Sequence, residues 1–423
     1  MSKKRPCAWL AVSLFVLVAA WAPVAEAQLE IRLNRVESYI PKFPAKKRMN
    51  RTYRPALNQL QHQLHERMAG GENLVCSAQI FKEAHWLVNY TSEPERIERR
   101  IEDLRESLEV ADQSFAARQD PKDGSFGPCY ETWIWRFFSS VDPLKEIAKR
   151  GETPEVPLKI WEPVDSAEEI RGLMQDLLVS DVKSGLNRRK ELNLAVTALG
   201  QLLWLDYTAS VFPAELDRDA LAQALSDFVD NEWQDPETGY WGAWFKTSDG
   251  IKKTNDLSMT FHILSYRGGD VPNLGGIAAT TGAIRRVKYP YGWNTGGTQN
   301  NHHAYDVARI INLTWDELAP SSRSYARATL FLLGTRALAL SINDRGEFDP
   351  GPYGTVGEAY YFGISFFAEL GVFGNKTGRD TVARIDNADE LLAQIEANLS
   401  KLDSSDSWVV AAKRKLETIK SKP

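Results

Sequence analysis

Gln119-Asp120-Pro121-Lys122-Asp123-Gly124-Ser125-Phe126 is a short loop sequence that this chain repeats. It returns as Gln234-Asp235-Pro236-Glu237-Thr238-Gly239-Tyr240-Trp241, and a worn third copy reads Asn343-Asp344-Arg345-Gly346-Glu347-Phe348. The three glycines of these loops stand 115 and then 107 residues apart. A loop that recurs at a near-constant spacing indicates a repeated supersecondary unit.

Two kinds of helix alternate between the loops. The amphipathic kind is represented by residues 93–115, where Ile97, Ile101, Leu104 and Leu108 form one apolar stripe. The other kind is apolar nearly all round and must therefore be buried on all sides. We expect buried helices to start near residues 74, 129, 189, 255, 302 and 357, and outer helices near 93, 166, 216, 276, 321 and 384.

Six alternating pairs predict an all-α fold, an (α/α)6 toroid in which six inner helices form a ring and six outer helices wrap it. A helical solenoid is the structural alternative, since it also alternates two kinds of helix. In a toroid all inner helices run the same way, so their N-termini share one rim, onto which the repeated loops open. Ser92-x-x-Glu95 and Ser166-x-x-Glu169 are capping signals that predict the starts of two outer helices.

Residues 1–27 have the pattern of a secretory signal peptide. Three basic residues, Lys3 to Arg5, precede an apolar run that is short for a membrane span, and Ala25-Glu26-Ala27 supplies a cleavage pattern. We therefore expect an exported monomer, periplasmic or secreted, cut near Ala27. Removing the leader takes the net charge from −5 to −7, which argues against nucleic acid as a partner.

The remaining chain is expected to divide into a basic N-terminal arm with a short helix (28–73), the toroid (74–405) and a C-terminal tail (406–423). The arm carries eight basic residues over 32–54 against one acid, and its prolines disfavour regular structure before a short helix over 56–68. Such an arm is either a solvated or wrapping segment or one that touches an acidic polymer or a membrane surface.

Cys76 and Cys129 are the two cysteines that remain after cleavage. Both would lie at the starts of neighbouring inner helices on the rim. An oxidising compartment would allow a disulfide between them, provided that their Cα atoms lie within roughly 7 Å.

The Gln-Asp-Pro-x-x-Gly-x-Trp loop resembles the Gln–Trp repeat of the terpenoid cyclase and protein prenyltransferase superfamily. In that superfamily the repeat also joins an outer helix to the next inner one, so the resemblance implies an α/α toroid over about residues 74–402. The acidic motifs of the cyclases and the zinc ligands of the prenyltransferases are absent from this sequence. The resemblance therefore implies the fold without that chemistry, and the loops themselves are interpreted as structural.

The densest polar cluster is Asn300-Asn301-His302-His303-Ala304-Tyr305-Asp306, at the start of the fifth inner helix. It follows an aromatic, glycine-rich loop over residues 289–297. Helical spacing puts His302 and Asp306 on one face, where the carboxylate can orient the imidazole. The same ends of other inner helices carry Glu131, Asp256, Glu358, Tyr360 and Tyr361. Each residue alone is typical of a cap, a surface group or a core residue, but titratable groups that converge in one cleft are functional candidates.

An exported toroid with an Asn-Asn-His string also resembles several polysaccharide lyase families. That resemblance implies β-elimination on uronate polymers. Asn301 would neutralise the uronate carboxylate, and Arg309 would help to hold it. His302 or His303 would remove the proton, and Tyr305 or Tyr361 would protonate the leaving oxygen.

Glycoside hydrolysis is the second catalytic hypothesis. It needs two carboxylates about 5–10 Å apart, which Asp256 would form with Glu358 or Glu131. Trp241, Trp244 and Trp293 would then stack on sugar rings. No cofactor is expected; the lesser alternative is a divalent metal held by His302, Asp306 and either Asp256 or His262.

The alternative to an enzyme is a terpenoid-cyclase-like toroid that binds an extracytoplasmic ligand or scaffolds the envelope without catalysis, because fold does not fix function. The two classes make different structural predictions. An enzyme would point its rim residues into an open cavity. A scaffold would fill the cavity with Trp and Tyr and hold Glu131 and Asp256 in salt bridges.

Overall fold

The computed structural model describes residues 39–293, 299–353, 355–373, 387–402 and 406–421. The predicted signal peptide, the first part of the arm and the predicted start of the sixth outer helix lie outside the described residues. The structure is 64% helix and 5% strand, which confirms the all-α class.

The α-helices of the described residues begin close to the positions that the alternating pattern predicts. In chain order they are α1 Pro44–Ala69, α2 Val75–Tyr90, α3 Pro94–Leu108, α4 Trp133–Lys149, α5 Ala167–Leu178, α6 Arg189–Leu203, α7 Arg218–Asp227, α8 Leu257–Tyr266, α9 Leu274–Ala283, α10 Asn301–Leu313, α11 Pro320–Leu340, α12 Val356–Glu369, α13 Ala388–Ser400 and α14 Ser407–Lys420. Short 3₁₀ segments and one π segment, Phe228–Trp233, join some of them.

One of the two predicted capping signals is correct. Ser166 is the N-cap of α5, and its Oγ accepts a hydrogen bond from the Glu169 amide at 3.3 Å. Ser92 is not a cap, because Pro94 occupies the first turn of α3 and Glu93 stands at the N-cap position. Proline favours the first turn of a helix, so it moves this helix start one residue past the serine signal.

The described residues form two compact units, which we call the N-terminal unit (39–236 and 240–272) and the C-terminal unit (237–239 and 273 onward). In the N-terminal unit, the predicted inner helices α4, α6 and α8 pack against one another in succession, and the predicted outer helices α5 and α7 pack together. In the C-terminal unit, α10 packs against α12. Several helices that are two apart in the chain are therefore neighbours within each unit.

The basic arm is more ordered than the sequence suggests. Helix α1 starts at Pro44, twelve residues before the predicted short helix, and it continues through Pro55. Met49, Leu57 and Leu64 are buried along it, and it packs against α2. Burial of this apolar stripe offsets the backbone hydrogen bond that Pro55 removes, which is why the proline rule gave the wrong helix start.

The C-terminal segment expected as a tail contains helix α14. Val409, Ala412, Leu416 and Ile419 are buried on one face of this helix, which packs against α12 and α13. Their spacing of three and four residues is the helical period, so the sequence itself contains the apolar pattern that predicts this helix.

The repeated loops serve the fold. Gln119 Nε2 donates to the Val156 carbonyl at 2.8 Å, and Gln234 Nε2 donates in the same way to the Pro272 carbonyl at 2.9 Å. Each glutamine thus ties its loop to the segment that leads into the next helical pair. This agrees with the structural interpretation of the repeat.

The repeated glycine has a backbone reason. Gly124, Gly239 and Gly346 have φ values of +73°, +71° and +73°, the left-handed region that other residues rarely adopt. A Cβ on Gly124 would also lie 2.3 Å from the Pro157 carbonyl oxygen. The glycine is therefore required both by its backbone angle and by the close approach of the neighbouring chain.

A small sheet in the N-terminal unit was not expected. Strand β1 (Val179–Asp181) pairs in parallel with β2 (Trp244–Thr247), and β2 pairs in antiparallel with β3 (Gly250–Lys253). Trp244, which was expected to stack on a sugar ring, therefore lies in a strand.

Candidate functional site

The His302–Asp306 pair forms as the helical spacing predicts. Asn300 caps α10, its Oδ1 accepting from the His303 amide at 3.3 Å. Asp306 lies one helical turn after His302, and His302 Nε2 is 3.9 Å from Asp306 Oδ2. This distance is within the range of an ion pair and is longer than a hydrogen bond. Asp306 is fully buried, whereas the His302 side chain is 32% exposed. The Tyr289 hydroxyl donates to the same carboxylate at 3.4 Å.

Aromatic side chains from two other helices surround His302. Its ring stacks on Phe362 of α12, with centroids 4.0 Å apart. The Phe362 ring in turn lies near the rings of Tyr361 and of Trp408 in α14, with centroids 5.1 Å and 5.5 Å apart, respectively. The imidazole is therefore held between a buried carboxylate and an aromatic wall, with part of its surface open.

Tyr305 and Arg309 belong to the same surroundings. Burial raises the pKa of Tyr305, and the neighbouring Tyr361 and Glu369 raise it further. Arg309 lies 3.5 Å from Glu369 and is one-third exposed. We call His302, Tyr305, Asp306, Arg309, Tyr361, Phe362 and Trp408 the His302 cluster. The raised pKa keeps Tyr305 protonated at neutral pH and also makes it a weaker acid than an ordinary tyrosine.

Asn301 has its side chain in the protein interior. It is 1% exposed, its Nδ2 donates to Ser341 Oγ at 3.0 Å, and its Oδ1 accepts from Gln299 Nε2 at 2.9 Å. The Tyr353 hydroxyl accepts from its backbone amide at 2.7 Å. Its amide group is therefore bonded to the protein itself, an arrangement that does not favour the predicted contact with a substrate carboxylate.

His303 faces a different environment from His302. Its ring stacks on Tyr289 with centroids 3.5 Å apart, and burial lowers its pKa to about 4. It lines a cavity of about 150 Å³ together with Arg285, Trp293 and Arg336. Adjacent positions on a helix are about 100° apart, so the two histidines point into separate surroundings.

Two of the three carboxylates proposed for hydrolysis, Asp256 and Glu131, are neutralised by arginines. Asp256 is fully buried, and Arg189 donates to both of its oxygens, at 2.6 and 2.9 Å. Asp256 also caps α8, accepting from the Met259 amide. Arg96 and Arg99 donate to the two oxygens of Glu131 at 3.1 and 3.0 Å. This is the arrangement expected of the non-enzymatic alternative.

The tryptophans proposed to stack on sugars lie in three different settings. Trp241 is fully buried, and its Nε1 donates to the Val229 carbonyl at 2.8 Å, so it is a core residue. Trp244 lies in β2 under Lys253, whose Nζ is 4.8 Å from its ring centroid. Trp293 lines the His303 cavity, and its Nε1 donates to the Thr281 carbonyl. Trp293 is therefore the tryptophan of this set best placed to meet a ligand.

Glu358 lies near a helix start, and His262 lies in the core. Glu358 lies in the first turn of α12, where its amide is capped by Thr355 Oγ1 at 3.1 Å. His262 Nδ1 is 2.9 Å from the Tyr266 hydroxyl, and burial lowers its pKa to about 3. Within the described residues, no group of three or more His, Cys, Asp or Glu side chains is arranged to hold a metal ion.

A polar face on α6 escaped the sequence interpretation. Lys190, Asn193 and Thr197 follow the helical spacing on one side of this helix, and Lys190 Nζ lies 5.9 Å from the Trp135 ring centroid. Asn193 Oδ1 and Thr197 Oγ1 are buried without a hydrogen-bond partner among the described residues. The signal in the sequence is a polar residue at positions 190, 193 and 197, which follow the helical spacing.

Cys76 and Cys129 form a disulfide, with Cα atoms 5.4 Å apart. The cross-link joins the start of α2 to the segment that precedes α4. In the part of the chain that the structure describes, no helix combines the length and the apolar character needed to cross a bilayer.

Comparison of this chain with protein-family models, curated proteins and solved structures finds no match. The function must therefore be argued from the residues and their geometry.

Proposed function

We propose that this protein is an exported carbohydrate-active enzyme, a lyase that cleaves uronate polymers by β-elimination at the His302 cluster. The observation that carries the proposal is the position of His302, held between the buried Asp306 and the Phe362 ring while 32% of its side chain is exposed. An imidazole oriented by a carboxylate and open on one side suits a general base.

The chemistry follows from these positions. His302 takes the C5 proton of a uronate, and the C–H electron pair forms the C4–C5 double bond as the C4–O bond breaks. Asp306 orients the imidazole and stabilises the imidazolium that forms. The leaving oxygen takes its proton from Tyr361 or Tyr305, and Arg309 holds the substrate carboxylate in place of Asn301.

We also propose the finer architecture and the compartment. In the N-terminal unit α4, α6 and α8 pack in succession, and in the C-terminal unit α10 packs against α12. These contacts between alternate helices support a repeat of helical pairs, for which we propose the (α/α)6 toroid. The leader pattern of residues 1–27 supports export, and the Cys76–Cys129 disulfide suits an oxidising compartment.

The test is turnover of the purified protein on acidic polysaccharides, followed by the ultraviolet absorbance of unsaturated uronates. We expect His302→Ala to lower kcat by about 10²–10⁴-fold, the usual contribution of a general base. His65→Ala is the matched control, because His65 is an exposed histidine of α1 and its loss should change nothing. New reducing ends without absorbance would replace the lyase assignment by hydrolysis.

Non-catalytic binding or envelope scaffolding is the second candidate. It is favoured by the ion pairs of Asp256 with Arg189 and of Glu131 with Arg96 and Arg99. Absence of turnover on every acidic and neutral polysaccharide tested would favour this class over both enzymatic ones.

A further inference from the structure

Lys190 of the N-terminal unit carries an amine that pairs with no other group of the described residues. It lies in the first turn of α6, and its Nζ stands 5.9 Å from the centroid of the Trp135 ring of α4 instead of meeting a carboxylate. Lys145 and Lys149 of α4, by contrast, are paired with acids of their own helix. The Lys190 side chain is partly exposed and Nζ is not sealed from solvent, so a small molecule can reach the amine.

Two buried polar atoms without partners lie close to this amine in the fold. Trp135 is 4% exposed, and its Nε1 has no hydrogen-bond partner among the described residues. Asn193 is 7% exposed, follows Lys190 by one helical turn on the same face of α6, and has an unpaired Oδ1. Buried polar atoms without partners cost free energy. A donor and an acceptor left unpaired beside a reachable amine therefore indicate a place for a polar molecule.

The charges around Lys190 favour the neutral, nucleophilic amine. Burial and, to a lesser extent, Arg189 and Lys82 lower the pKa of Lys190 to about 8, although Asp256 acts in the opposite direction. Asp256 accepts from Arg189 through both of its oxygens and so forms no ion pair with the lysine. His262 of α8 adds no charge, since burial and the charge of Lys190 lower its pKa to about 3. Unprotonated lysine amines are the nucleophiles that form Schiff bases with carbonyl compounds.

We propose that Lys190 is a covalent binding site for small hydroxyaldehydes, which it holds as an imine. The amine nitrogen attacks the aldehyde carbon and forms a C–N bond, while the carbonyl oxygen gains one amine proton to give a carbinolamine. The C–O bond then breaks as the nitrogen lone pair forms the C=N bond, and the oxygen leaves as water with the second amine proton. The hydroxyl group of the aldehyde supplies the donor that Asn193 Oδ1 lacks. No residue of the His302 cluster takes part, so this binding is separate from the proposed lyase activity.

The test is reductive trapping on the whole protein at about pH 7. Glycolaldehyde is added with cyanoborohydride, which delivers hydride to the imine carbon, and peptide mass spectrometry measures the hydroxyethyl group at each lysine. We expect Lys190 to be labelled at least about tenfold faster than the exposed Lys122 of the same sample, because more of its amine is unprotonated than in an ordinary lysine. The rate at Lys190 should saturate with glycolaldehyde concentration. Acetaldehyde, which lacks the hydroxyl, should need a higher concentration for half of its maximal rate.

Controls separate a binding site from a merely reactive amine. In urea the advantage of Lys190 over Lys122 should disappear, and Asn193→Leu should remove the difference between the two aldehydes. His302→Ala should be labelled like the wild type. Labelling of Lys190 no faster than Lys122 in the folded protein, or a rate that rises in proportion to glycolaldehyde without saturating, would overturn the proposal. An unchanged preference for glycolaldehyde in a folded Asn193→Leu protein would refute the role of the hydroxyl group.

Discussion

Lys190 holds its ammonium group against a neighbouring positive charge. Burial and, to a lesser extent, the charge of Arg189 lower the pKa of Lys190 to about 8 from an ordinary value of 10.5, although Asp256 acts in the opposite direction. The Lys190 side chain forms no hydrogen bond or ion pair within the described residues, and its Nζ lies over the Trp135 ring instead. The folded protein therefore disfavours the charged amine that the unfolded chain carries freely.

Replacing this lysine should stabilise the protein in a pH-dependent way. Below pH 8 the amine is protonated in both states, so wild type bears the full cost of the buried charge. That cost declines as pH rises and is gone above 10.5. Lys190→Met should therefore raise the free energy of unfolding by about 1–3 kcal/mol at about pH 7 and by far less at about pH 10.5.

Urea unfolding at the two pH values measures this difference. Lys122→Met, at an exposed lysine of the first repeated loop, should change little at either pH. A Lys190→Met effect of the same size at both pH values would contradict the assigned cause.

The sequence predicted which side chains lie together at the start of α10, but it did not predict which remote side chains they contact. The His302–Asp306 pair follows from helical spacing alone. The same local pattern could not show that Asn301 would bond to Ser341, forty residues away, or that Asp256 would meet Arg189. Such partners are fixed by how distant helices pack.

At the scale of elements, Glu83 of α2 fastens the start of α4. The carboxylate is fully buried and accepts from the Glu131 and Thr132 amides at 2.7 and 3.0 Å, and from Thr132 Oγ1 at 2.9 Å. Arg100 donates to it at 3.0 Å. A side chain from one helix thus satisfies the first amide groups leading into another, which would otherwise lack partners.

Glu83→Gln should destabilise the protein by about 3–5 kcal/mol, because it removes the buried one of the two carboxylates that pair with Arg100, leaving only the partly exposed Asp103, and turns an amide donor toward other donors. Chemical unfolding followed by circular dichroism would measure it. Glu102→Gln removes a surface carboxylate that is 59% exposed and paired with Arg105, and it should cost at most about 1 kcal/mol. Equal losses in the two variants would refute the capping role.

The elements themselves were largely readable from sequence. Apolar periodicity located the helix starts, and the stripe from Val409 to Ile419 has the same periodicity and indicates α14. The start of helix α1 was predicted too late because proline weighs against a helix locally, whereas burial of Met49 and Leu57 favours it.

At the scale of the whole molecule, the Cys76–Cys129 disulfide closes a loop with a sequence separation of 53. A cross-link of this kind stabilises mainly by restricting the unfolded chain, typically by about 2–5 kcal/mol. We expect a Cys76→Ser, Cys129→Ser double variant to lose that amount in urea unfolding. Reductant should lower the midpoint of wild type and leave the double variant unchanged; a wild type insensitive to reductant would argue against the bond.

The sequence by itself determined the helical class, the approximate starts of the helices and the repeated loops with their required glycines. These depend on local physics, namely the hydrogen bonds and side-chain period of a helix and the backbone freedom of glycine. The tertiary structure alone decided that His302 faces an aromatic wall while His303 faces arginines, and that Asp256 is neutralised by Arg189 from 67 residues away. Those outcomes depend on which remote helices pack together, and a helical period carries no information about its partner.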